Sequence, residues 1–124
     1  MDSIVKVLVV GMCPSDKPTL GYTRNASFRR LESWMDVLDV QHFSFINVFD
    51  KPHVPTLSKV KAKPLIEAAK GYDNILALGG FVSMALNRAM IEHFQLPHPS
   101  PLNRLLNDKD YEKQVLERCK DYLV

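Results

Sequence analysis

The sequence predicts an α/β fold, three layers with a four-stranded parallel sheet between helices, and three observations lead there. Short apolar runs alternate with longer segments of helical periodicity from one end of the chain to the other. The first run, Ile4 to Val10, is almost unbroken in β-branched and aliphatic residues, as a strand covered on both faces requires. At 124 residues there is room for one core but not two, so one domain spanning 1–124 is expected, with monomer as the default.

Each element can be justified in turn. Strand one, Ile4 to Val10, stops at Gly11, where a turn through Asp16 opens a polar loop to Thr23. Phe28, Leu31, Trp34, Met35 and Leu38 repeat at helical spacing, predicting a helix over 25–38. Gln41 to Phe49, rich in aromatic and β-branched residues, reads as strand two. Pro52, Pro55 and Pro64 make 50–64 mostly loop, with a helix over 64–70 whose start reaches back near Ser58. Asn74 to Leu78 is strand three, ended by Gly79-Gly80. Phe81 to Met90 is the next helix, and Phe94 to Leu96 a short strand four. A helix over 107–123 closes the chain with Tyr111, Val115, Leu116, Cys119 and Leu123 inward. Between these last two elements lies Pro97-His98-Pro99-Ser100-Pro101, too restricted in φ to be anything but a stiff loop. Such a loop either joins two elements or holds side chains in fixed positions.

No apolar run is long enough to cross a bilayer, and Met1-Asp2-Ser3 does not resemble a signal peptide, so an intracellular location, cytoplasm or nucleoid, is expected. Cys13 and Cys119 have no metal-ligand spacing, and reduced thiols are the default. The net charge is only +2, but its distribution is uneven. Lys17, Arg24, Arg29 and Arg30 form one window without acids, and Lys51, Lys59, Lys61 and Lys63 form another. If both face one way they attract phosphate; otherwise they are solvated loop and helix faces.

Several chemistries lack their residues. Gly79-Gly80 has no spaced third glycine and there is no phosphate-loop lysine, so no nucleotide cofactor is expected. His42, His53, His93 and His98 show no helical pairing for a metal, and neither Ser15 nor Ser100 sits in a nucleophile elbow. In a parallel sheet, ligands bind beyond the carboxyl ends of the strands. Four stretches meet there: Gly11 to Asp16, Asn47 to Lys51, Gly79-Gly80 and the proline loop. An amide (Asn47) suited to a pyrimidine edge, a fixed imidazole (His98) and flanking basic residues point to nucleic-acid base chemistry.

These residues resemble the uracil-DNA glycosylase superfamily. His98-Pro99-Ser100-Pro101-Leu102-Asn103 is similar to its second motif, and Gly11-Met12-Cys13-Pro14-Ser15 to its first. Asn47 falls where the family carries the asparagine ending strand two, and Ala77-Leu78-Gly79-Gly80 is similar to its third strand and turn. The resemblance implies that His98 bonds the pyrimidine carbonyl and stabilises the leaving base, that Asn47 reads the base edge, and that Leu102 fills the gap left by the flipped nucleotide. It further implies that the Met12 and Cys13 amides line the pocket and that Tyr22, or Phe28 in its place, stacks on the base. Ser15, Ser100 and Arg104, with Asn103 and Lys51, are implied at the DNA.

One position departs from the pattern. Cys13 stands where the most active members carry aspartate. A thiol with a pKa of about 8.5 is mostly neutral at pH 7 and supplies no fixed negative charge to orient water. Asp16 could substitute by turning back, and a nucleophilic Cys13 is a remoter alternative. The expectation is a slow, cofactor-free DNA base glycosylase acting on uracil or a related pyrimidine in single- or double-stranded DNA. The alternatives are an inactive relative that binds DNA or a modified base, alone or as a subunit of a DNA-processing assembly, and a domain binding small nucleotides.

Overall fold

The computed structural model describes residues 6–12, 26–49, 56–99 and 103–123. Cys13, Ser15, Asp16, Tyr22, Lys51, Ser100 and Leu102 lie outside the described residues. Four parallel strands, β1 (Val7–Gly11), β2 (Ser44–Asn47), β3 (Asn74–Leu78) and β4 (Phe94–Leu96), form one sheet in the order β2-β1-β3-β4. Helices α1 (Ala26–Val37), α2 (Ala62–Ala69), α3 (Gly80–Arg88) and α4 (Lys109–Tyr122) connect or follow them, with 3-10 turns at Leu57–Lys59 and Arg104–Asn107.

The period-two alternation of the strands sorts their side chains into two cores. Val7, Val9, Leu76, Leu78 and Leu96 face α1 and α4, where Leu31, Trp34, Met35, Val115, Leu116 and Cys119 meet them. Leu8, Val10, Ile75 and Ala77 face α2 and α3, and pack on Leu65, Val82 and Leu86. β1 and β3 are therefore buried on both faces along their whole length, which accounts for their continuous apolar composition. Burial pushes the Cys119 thiol up to about 12, and it is a free cysteine with a packing role. Among the described residues, no helix is long and apolar enough to cross a membrane.

Polar contacts tie the α1/α4 layer together. The Trp34 indole donates to Glu112 at 3.2 Å, linking α1 to α4. The Ile75 amide points toward β4 one residue before that strand begins, and the Tyr122 hydroxyl accepts its hydrogen bond at 3.3 Å. Desolvation raises the pKa of that phenol.

Several boundaries differ from those the sequence predicts; α1 ends at Val37 rather than Leu38, and α3 runs from Gly80 to Arg88 rather than from Phe81 to Met90, with Met90 itself at φ 59°. β1 includes Gly11, because Asn47 of β2 pairs with it. β2 is four residues long, since its described partner on β1 spans only Leu8 to Gly11. The helix expected from near Ser58 divides into a 3-10 turn and α2, with Pro64 in the first turn of α2, where a missing amide hydrogen is tolerated. α4 starts at Lys109, after Asp108, whose carboxylate accepts from the amides of Asp110 and Tyr111; the residues before it form the second 3-10 turn.

The strand order creates a switch point. β1 leads to β2 through α1 on one face, whereas β3 leads to β4 through α3 on the other. The two connections leave neighbouring strands for opposite layers, which puts the switch point between the carboxyl ends of β1 and β3.

Candidate functional site at the carboxyl rim of the sheet

At the end of β1, Gly11 has Asn47 and Phe45 over it. A Cβ placed on Gly11 would come within 2.8 Å of both Asn47 Oδ1 and the tip of the Phe45 ring. That is closer than real side chains approach, so glycine is what lets the Asn47 amide lie across this strand end. Asn47 and Phe45 are two residues apart on β2 and share the face toward α1. Phe28 of α1 packs on Phe45 with ring centroids 5.7 Å apart, and on Phe43 at 6.4 Å. The Phe28 ring is thus engaged in an aromatic cluster beside Asn47. The Met12 side chain packs with Ile46 and Val48 on the α2/α3 face, and its carbonyl accepts from the Phe49 amide at 2.8 Å.

At the end of β3, Gly79 stands beneath His98. Gly79 adopts φ 92° and ψ 168°, a region open essentially to glycine alone. Its amide donates to the Leu96 carbonyl at 2.8 Å, fixing the start of the proline loop. A Cβ at Gly79 would lie 3.5 Å from the His98 Cβ, in ordinary contact. His98 is exposed between the buried Pro97 and Pro99. Crowding on one side desolvates its imidazole and holds its pKa below the usual value of 6.5, so the ring is neutral at pH 7.

His98 borders a pocket of about 460 Å³, within the range of small-ligand sites. Gly79, Gln95, Asn103, Tyr111 and Arg118 contribute to its lining; Asn47 does not. The two halves of the rim stand over adjacent strands whose axes are about 4.8 Å apart, with Asn47 toward α1 and the His98 pocket toward α4. Asn103 is held within its own loop. Its Nδ2 donates to the His98 carbonyl at 2.9 Å, and its Oδ1 accepts from the Leu105 amide at 3.1 Å.

The described members of the two basic windows lie at one end of the sheet, on opposite layers. Each helix that follows a strand begins at the carboxyl rim, so Arg29 and Arg30 in the first turns of α1, and Lys59, Lys61 and Lys63 at the start of α2, flank the same rim. Arg104, at the end of the proline loop, is exposed there too. His93 lies toward the other end of β4. Its Nδ1 donates to the Ile91 carbonyl at 2.8 Å, which leaves Nε2 to accept from the Ser83 hydroxyl at 2.7 Å. Ser83 is buried, so the pair fastens α3 to the start of β4. Among the described residues, no three His, Cys, Asp or Glu side chains gather as metal ligands.

Sequence reasoning missed Phe45, Tyr111, Gln95 and Arg118. Phe45 reads as a strand residue, yet its ring is 39% exposed beside Asn47; the signal was its two-residue spacing from that asparagine. Comparison with protein-family models, with curated proteins and with solved structures finds no match to this chain.

Proposed function

We propose that this protein is a DNA base glycosylase of the uracil-DNA glycosylase type, which flips uracil or a related pyrimidine out of DNA and hydrolyses its N-glycosidic bond, slowly and without a cofactor. The observation that carries this reading is the placement of Asn47 and a neutral His98 over the glycine ends of adjacent strands, on one rim and one face of the sheet. Asn47 offers both a donor and an acceptor to the base edge. When the glycosidic bond breaks, its electron pair goes to the base, and the neutral His98 ring donates one N–H to the carbonyl oxygen on which that charge collects. A hydrogen bond to an ion is about twice as strong as one between neutral groups, so it favours the transition state over the ground state. Water adds to the sugar carbon and sheds a proton, which passes through solvent to the departing base anion, and Cys13, a thiol where the most active members carry aspartate, gives that water little help. Phosphates are attracted to the rim by Arg29, Arg30, Lys59, Lys61, Lys63 and Arg104.

The test is a single-turnover assay with protein in excess over a labelled oligonucleotide containing one uracil, as a single strand and as a duplex, followed by alkali. Cleavage at the uracil is expected, with Cys13→Asp increasing the rate. Absence of product after long incubation would exclude the glycosylase. Salt-sensitive DNA binding would then support the second reading, a non-catalytic base-binding relative, which the neutral Cys13 favours.

A further inference from the structure

The proline loop is stiff, but stiffness alone does not aim a side chain. Proline at 97 and 99 fixes φ on either side of His98, and the Gly79 amide fixes the loop's entry through Leu96. At its exit, the Asn103 amide spans back to the His98 carbonyl with one end and caps the 3-10 turn at Leu105 with the other. Among short side chains, only asparagine carries a donor and an acceptor on the same planar group at this reach. Serine keeps the cap but cannot span to His98, and aspartate keeps the cap but has no hydrogen to donate.

We infer that Asn103 is a positioning residue that sets the orientation of His98, rather than a contact to DNA. The inference rests on the role proposed for His98, but its geometry can be tested without DNA. The Asn103 amide uses one N–H on the His98 carbonyl and one oxygen lone pair on the Leu105 amide, and these two bonds tie the loop's exit to His98. Gln95, Tyr111 and Arg118 are among the groups that border the pocket with His98 and Asn103.

Asn103→Ser is the discriminating variant. It is expected to lower the single-turnover rate about ten- to a hundredfold, as a misplacement of roughly 1 Å does, with half-saturating DNA unchanged within about twofold. In the DNA-free protein, the His98 imidazole should titrate higher than in the native protein, toward 6.5, as the ring becomes more solvated. An unchanged His98 titration, or a loss confined to DNA affinity, would overturn the inference. A native protein that releases no base but whose His98 titration responds to Asn103→Ser would sink the glycosylase reading alone. If the variant does not fold, scalar coupling across the hydrogen bond from Asn103 Nδ2 to the His98 carbonyl is measurable in the native protein. Its presence supports the tie, and its absence refutes it.

Discussion

Gly11 and Gly79 stand at the carboxyl ends of adjacent strands, and each has a polar side chain lying over it, Asn47 from β2 and His98 from the loop after β4. They are glycine for different reasons. At Gly11 the backbone is ordinary strand, and the constraint is space: any Cβ would strike the Asn47 amide and the Phe45 ring. At Gly79 space is adequate, and the constraint is φ 92°. One half of the rim is thus a close approach, in which β1 makes room for the Asn47 amide. The other is a backbone bend that starts α3 and lets His98 settle above it. Under the proposed function, the first half serves recognition and the second serves rate.

This division can be broken most forcefully at His98. His98→Ala should lower the single-turnover rate about a hundredfold or more, as loss of a charge-stabilising donor does, while thermal stability stays within a degree or two. Asn47→Ala should act on choice instead of speed, reducing discrimination of uracil from cytosine about ten- to a hundredfold, read from rates on paired oligonucleotides. If either variant does the other's work, the division is wrong.

The glycines sharpen it further. Gly11→Ala should lower unfolding free energy by about 1–3 kcal/mol through overpacking and shift the Asn47 side-chain amide resonances. Gly79→Ala should destabilise by a similar 1–3 kcal/mol through backbone strain, leave the Asn47 resonances in place and shift those of His98. Denaturant melts and amide spectra of the two variants separate these outcomes.

The smallest expected effect concerns pH. Burial lowers the His98 pKa in the folded chain below 6.5, so the unfolded chain binds more protons as pH falls through that value and down to the folded pKa. Stability should therefore decline across this window, and His98→Gln should flatten that part of the profile. A steeper decline in His98→Gln would show that the histidine is stabilised in its charged form.

The sequence made the sheet legible because strands buried on both faces must be continuously apolar, and β3 and β4 match their expected bounds residue for residue. Gly11 was misjudged as a stop because a glycine after an apolar run ordinarily ends a strand. Its membership depends on pairing with Asn47, which local pattern does not encode. His98 was legible from the prolines around it. Tyr111 and Arg118 were not legible as neighbours of His98, because α4 reads as an ordinary amphipathic helix and their position at the pocket is set by how α4 packs beside β4. The Asn103 tie was hidden for another reason: a motif shows which residues are present, but not that an amide is already bonded at both ends.

Asn47 and His98, over different strands, are proposed to serve one base. The most direct measurement follows the Asn47 side-chain amide and the His98 imidazole by NMR while free uracil, and then a short single strand containing one deoxyuridine, is added. Both sets of resonances should move together with one saturation curve. Movement of His98 alone, with Asn47 unchanged at saturation, would contradict the proposal and assign the ligand to the pocket beside α4.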